Sequence, residues 1–180
     1  METEAPAGGT YGLLLAAGAG RRYGHPKILV PGWLEHAVDA LGRGGCDRVL
    51  VVTGAARPEI PRGAEEVHCA GWDRGMGVSL RAGLGAVPAG AGRVAIHLVD
   101  YPDIGHDVVA RILSAAGDDL ARAAFDGRPR HPVVVPAAHL APLLAALTDD
   151  DGAAPYLRGQ RVRLVECGDL AGGEDVDVPG

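Results

Sequence analysis

The stretch Tyr11 to Lys27, YGLLLAAGAGRRYGHPK, decides how the rest of the chain is read. It opens on a short apolar run, Leu13-Leu14-Leu15-Ala16-Ala17, long enough for one buried strand. It then breaks into Gly18, Gly20 and Gly24, interleaved with Arg21, Arg22 and finally Lys27. Glycine lets a backbone approach a ligand closely and aim several N–H groups at it, which suits a phosphate chain. The two arginines and the lysine add positive charge where triphosphate oxygens would gather. A strand running into a phosphate-cradling loop implies an α/β protein that binds a nucleotide.

Two common nucleotide loops can be compared with it. A P-loop needs Gly-x-x-x-x-Gly-Lys followed by Ser or Thr, and the chain has no such string. A dinucleotide-binding turn could use Gly18, Gly20 and Gly24, but it wants an acidic residue at the end of the second strand to hold the ribose. The second apolar run, Val49 to Val52, ends instead in Thr53-Gly54-Ala55-Ala56-Arg57. That ending speaks against an NADP-binding oxidoreductase, which stays open as an alternative.

At 180 residues the chain fits one domain, 1–180, with residues 1–10 expected as a flexible N-terminus. Its net charge of −6, from 17 basic and 23 acidic residues, argues against a general nucleic-acid surface. The cations around Gly18 are a local exception. No segment approaches the roughly 18 continuous apolar residues of a membrane span. Met1 to Gly9 carries two Glu and no basic-then-apolar pattern, so no signal peptide is expected. Cys46, Cys69 and Cys167 are odd in number and widely spaced. They read as buried free thiols and imply a reducing cytoplasm.

Outward from the loop, helical and strand patterns alternate. Trp33–Leu41 has apolar residues at helical spacing and Gly44-Gly45 closes it, while Cys46–Thr53 reads as the second strand. Glu65–Ala70 is a short strand, and a helix is expected from Val78 to Val87. Arg93–Val99 is a strand that stops at Asp100-Tyr101-Pro102-Asp103, before an amphipathic helix over His106–Ala116. Leu120–Phe125 and Pro132–Val135 read as strands separated by Gly127–Arg130. Leu140–Leu147 and Ala153–Leu157 read as helices and Val162–Cys167 as a last strand, with no internal repeat. This order predicts a three-layer α/β/α sandwich on a mostly parallel sheet. Ligands of such sheets sit beyond the carboxyl ends of the strands, where both Gly18 and Asp100 fall.

Asp100 follows an apolar strand and stands two residues before a proline, so its side chain should emerge at the end of the sheet. Mg²⁺ takes oxygen ligands, commonly one or two carboxylates plus substrate phosphates. Further acids stand in Glu174-Asp175-Val176-Asp177. A turn residue capping the strand is the plainer reading of Asp100, and a solvated tail that of the terminal acids. In Trp72-x-x-Gly75-Met76-x-x-Ser79-Leu80, the glycine permits close approach and the Ser79 hydroxyl either bonds a base or caps its helix.

The pattern Leu15-Ala16-Ala17-Gly18-x-Gly20-x-Arg22-x-Gly24-x-Pro26-Lys27 resembles the signature loop of nucleotidyltransferases that activate small molecules with NTPs. Within the MobA-like NTP transferases it is most similar to the molybdenum cofactor cytidylyltransferase branch, and the resemblance extends from Gly12 to Pro179. It implies a Rossmann-like, GT-A-type fold and Mg²⁺ as cofactor. It implies catalytic roles for Arg22, Lys27 and Asp100. Nucleotide binding would fall to Leu15, Ala16, Ala17, Gly18, Gly20, Arg21, Arg22, Lys27, Gly75 and Ser79. The metal would sit on Asp100 and Asp177, with Asp175 as second choice, and the acceptor on Tyr101, Arg130 and His131. Ala16-Ala17-Gly18 resembles the cytidine-using variant and so favours CTP.

The acceptor side departs from the family pattern. Arg130 replaces a glycine of Gly-x-x-Gly-His-Pro, Ala154 stands for an arginine, and Tyr101 for the glutamine of Asp-Gln-Pro. The implied reaction moves a nucleoside monophosphate from CTP to a phosphorylated small molecule, molybdopterin first, releasing pyrophosphate. A sugar 1-phosphate acceptor and a non-catalytic nucleotide-sensing relative are the other readings.

Overall fold

The computed structural model describes residues Gly8 to Pro179. Of the expected flexible N-terminus, residues 1–7 lie outside the described residues. Gly8 donates its N–H to the Gly90 carbonyl at 2.8 Å, and Thr10 begins the first strand.

Seven strands form one sheet: β1 (Thr10–Leu15), β2 (Arg48–Thr53), β3 (Ala64–His68), β4 (Arg93–Leu98), β5 (Ala121–Phe125), β6 (Arg128–Pro136) and β7 (Arg163–Glu166). Their order is β3-β2-β1-β4-β6-β5-β7, and β6 alone runs antiparallel to its two neighbours. Helices α1 (Trp33–Arg43) and α3 (His106–Ala116) cover one face. Helices α2 (Met76–Ala86), α4 (Ala137–Ala146) and α5 (Ala154–Arg158) cover the other. The expected three-layer, mostly parallel α/β sandwich is borne out. Covering both faces explains why β1 reads as an unbroken apolar run: Leu14 packs toward α1 and α3, Leu13 and Leu15 toward α2.

The strand order places the site. From β1 the chain winds outward to β2 and β3, then returns to lay β4 on the other flank of β1. Leu15 therefore stands opposite Leu98, so the loop after β1 and the turn after β4 leave the sheet side by side. Such a reversal opens a crevice at the carboxyl ends of the strands.

Most elements shift by one to four residues at an end from the sequence expectation, and two of these boundaries bear on the site. Helix α2 starts at Met76 rather than Val78, which puts Gly77 inside it. A Cβ on Gly77 would lie 1.8 Å from the Thr148 carbonyl oxygen, so this residue lets α2 pack on the 148–151 loop. Strand β6 starts at Arg128, leaving Asp126 and Gly127 as the turn, both at positive φ. Arg130 and His131 therefore stand on a strand that bulges against β5.

His97, central in β4, is fully buried and neither ring nitrogen has a partner. Burial pushes its pKa down to about 3, with the His131 and His36 charges adding to the effect. The unfolded chain takes up this proton below about pH 6.5, whereas the fold refuses it until about pH 3. Acid therefore favours the unfolded chain across that window, by up to about 1.4 kcal/mol per pH unit. The melting temperature should be lower at pH 5 than at pH 7. His97→Leu, which removes both orphaned nitrogens at similar volume, should narrow that difference and cost no stability at pH 7. Thermal denaturation at the two pH values checks both.

Candidate active site

The loop after β1 is open toward solvent. Among the described residues, none of the backbone N–H groups from Gly18 to Tyr23 donates to another protein group. Gly20 holds the loop's shape: its φ is +60°, and a Cβ there would sit 1.9 Å from the His25 carbonyl oxygen. Free amides beside Arg21 and Arg22, both exposed, make a cradle for an anion.

Lys27 closes the loop and points across the rim. Its Nζ donates to Asp100 Oδ2 at 2.8 Å and to Asp177 Oδ1 at 2.9 Å. Burial pulls the ammonium pKa down, but these two hydrogen bonds and the charges behind them outweigh it, and the net shift is upward. Asp177 is held below the usual carboxylate range chiefly by its hydrogen bond from Lys27. Arg22 adds a contact to Asp177 Oδ2 at 3.1 Å, a weak one because the Arg22 side chain is 78% exposed.

The acids meet because the C-terminal tail is stapled to the turn after β4. Val176 donates its N–H to the Asp100 carbonyl at 2.9 Å, and Gly172 and Gly173 donate theirs to Asp103 Oδ2. One oxygen from each of Asp100, Asp175 and Asp177 then lies within 4.8 Å of the other two. Asp100 Oδ1 is buried without a partner. An all-carboxylate set with an unsatisfied buried oxygen fits a hard divalent cation such as Mg²⁺ or Mn²⁺.

Loop and acids border one cleft of about 440 Å³. Its lining includes Leu15, Ala16, Ala17, Gly18, Gly20, Arg21, Arg22, Lys27, Gly75, Ser79, Asp100 and Asp177, all named from the sequence. Ser79 is buried at the fourth position of α2, and that helix has no side-chain cap, so capping is not what this hydroxyl does. Gly75 is shaped by its neighbours as well: at φ +140° a Cβ would lie 2.1 Å from the Asp149 carbonyl oxygen.

The residues assigned to the acceptor lie beside the cleft. Tyr101 is 6% exposed, and burial, then the Asp175 and Asp100 charges, push its pKa up to about 12. Its ring centroid is 5.7 Å from that of half-buried His131. Arg130 is half-buried on β6. Sequence reasoning missed the walls formed by Tyr23, Trp72 and Met76, although Tyr23 stands within the quoted loop. It also missed that Lys27 pairs with the very carboxylates assigned to the metal. All three cysteines are free and buried. Among the described residues, no helix is long and apolar enough to cross a membrane.

A phosphate cradle facing carboxylates across the switch point of this sheet is the arrangement of a nucleotidyltransferase. Residues 12–165 match the MobA-like NTP transferase domain, and the chain belongs to that family. No curated protein matches it in sequence. Among solved structures it resembles a homologue of Rv0371c from Mycobacterium sp. strain JC1. That pair is 28% identical, covers 94% of this chain and 90% of that one, and has a TM-score of 0.75. It also resembles Rv0371c of Mycobacterium tuberculosis H37Rv in complex with manganese, at 23% identity over 90% and 89% of the two chains, TM-score 0.69. A third neighbour is the 2-C-methyl-D-erythritol 4-phosphate cytidylyltransferase of Thermus thermophilus, at 23% identity over 92% and 91%, TM-score 0.67. The expected family, fold and enzyme class are thus borne out, and the oxidoreductase reading is set aside.

Removing the ammonium tests how much the rim depends on it. Lys27→Ala strands Asp100, whose side chain is only 18% exposed, at a cost of about 1–3 kcal/mol. Urea denaturation of the two proteins at neutral pH should resolve a loss of that size.

Proposed function

We propose that the chain is a divalent-metal-dependent cytidylyltransferase that moves CMP from CTP onto the phosphate of a small molecule. The observation that carries this reading is the meeting of Lys27 with Asp100 and Asp177 at the rim of a loop whose amides are free. CTP is supported by the Ala16-Ala17-Gly18 form of the loop and by a structural neighbour that is a cytidylyltransferase. Molybdopterin is the acceptor that the loop resemblance favours.

In the proposed reaction, an oxygen of the acceptor phosphate attacks the α-phosphorus of CTP in line. A new P–O bond forms as the bond from the α-phosphorus to the bridging oxygen breaks, and its electron pair leaves with pyrophosphate. The attacking oxygen is already deprotonated, so no general base is required. Positioning and neutralisation of charge supply the catalysis. The Gly18–Tyr23 amides, Arg21 and Arg22 hold the β- and γ-phosphates. Lys27, a point charge on a flexible stem, turns from the carboxylates toward the triphosphate when the nucleotide arrives. Asp100 and Asp177, with Asp175 beside them, would hold a Mg²⁺ whose charge offsets that on the α-phosphate. A manganese complex of one structural neighbour supports a divalent ion.

A thermal-shift screen of CTP, GTP, UTP and ATP, each with and without Mg²⁺, tests the reading. CTP with Mg²⁺ should stabilise the protein most, and Asp100→Asn should lose the metal-dependent part of that shift. Equal shifts for all four nucleotides, or none, would reject a cytidylyltransferase. In a pyrophosphate-release assay, Lys27→Ala should turn over on the order of 100-fold more slowly, the size of losing one charge-stabilising group.

A further inference from the structure

The face of the sheet that carries the nucleotide cleft continues past it. Leu13 stands opposite Ile96 on β4, Ile96 opposite Val133 on β6, and Val133 opposite Arg122 on β5. Leu13, Ile96 and Val133 all pack in the core under α2 and α4, as does the cleft-lining Leu15. Directly opposed residues share a face, so Arg122 stands on the cleft side, in the same row. Its guanidinium leans back over β6, where Nε donates to the Arg130 carbonyl at 3.1 Å. β6 is the strand next to β4, and the Arg122 charge acts on Tyr101, the residue after Asp100.

Among the described residues, Arg122 has no acid paired with it, although the Asp175 charge acts on its neighbours Tyr101 and His131. It is half-buried, and among the described residues no carboxylate pairs with it or with Arg130. Burial, and then the Arg130 charge, lower its pKa, so the two guanidiniums oppose each other. Beside them, His131 turns Nδ1 toward the Ile96 carbonyl at 3.4 Å, and burial and then the Arg122 charge push its pKa down to about 4, so the ring adds no third positive charge. Half-buried like charges without an acid between them are costly unless an anion joins them. The β6 bulge, where β5 advances two residues from Arg122 to Ala124 while β6 covers four between Val133 and Pro129, gathers these groups on one stretch of β6.

We propose that Arg122 and Arg130 form the seat of the acceptor's phosphate monoester, next to the nucleotide cleft. This rests on the reading of the chain as a transferase to a phosphorylated acceptor. The nucleotide lies over β1 and β4, and the acceptor phosphate over β6 and β5. The two substrates then meet above Asp100. The planar forks of the arginines hold the attacking phosphate by two of its oxygens and leave a third for the α-phosphorus.

Inorganic phosphate is the probe. With the cradle first filled by a non-hydrolysable CTP analogue and Mg²⁺, phosphate is titrated and followed by ³¹P NMR. The wild type should bind it saturably. Arg122→Gln should weaken phosphate about 10-fold or more, Arg122→Lys less, while affinity for the CTP analogue moves less than about twofold. Arg130→Gln should weaken phosphate too, and carries the test if Arg122→Gln does not fold. No saturable phosphate binding by the wild type, or wild-type binding by the glutamine variants, overturns the seat. Phosphate binding that depends on Arg122 in a protein that ignores every nucleotide would instead uphold the seat and sink the transferase reading.

Discussion

The site depends on one cation placed between acids. Asp100, Asp175 and Asp177 each bring an oxygen within 4.8 Å of the others, a concentration of like charge that needs positive charge at its centre. Lys27 supplies it, reaching Asp100 across 73 residues of sequence and Asp177 across 150. The same contact ties together the loop after β1, the turn after β4 and the tail. Lys27 and the proposed divalent cation would share the same carboxylates, so the proposed binding of metal and of nucleotide would be coupled.

The sheet makes that contact possible. Because the chain reverses direction across β1, its loop and the turn after β4 emerge from neighbouring strands in register at Leu15 and Leu98. On one side of the reversal the loop offers free amides and arginines. On the other, β4 is followed in space by the single antiparallel strand, β6. Its first residues therefore end at the same rim as Asp100. That is how Arg130 and His131, far along the chain, come to border the catalytic edge.

How much was legible varies from residue to residue. The strand-then-glycine-then-cation order of Leu13 to Lys27 is local, so its shape and its positive charge can be read directly. Asp100 was equally plain, because an apolar strand that stops at an acid before a proline leaves that acid at the end of a sheet. Ser79 kept two readings in sequence, and the start of α2 at Met76 removes the capping one. Tyr101 was read as an acceptor contact by position, and the fold surrounds it until 6% of its surface is exposed. Arg122 carries no motif, and in sequence it is one arginine among alanines.

The amino-acid sequence by itself determined the layers of the fold, the glycine- and arginine-rich loop after β1 and the place of Asp100 at the end of β4. Each of these follows from patterns within a few residues, where backbone geometry and side-chain spacing act directly. Tertiary structure alone decided that Lys27 bridges Asp100 and Asp177, that Asp175 joins them, and that Arg122 stands on the same face of the sheet as the cleft. Those are contacts between segments far apart in the chain. They depend on strand order, on the register of β4, β6 and β5, and on the tail held by Val176 and Asp103. No local pattern encodes a register between distant strands, because it is set by the packing of the whole sheet.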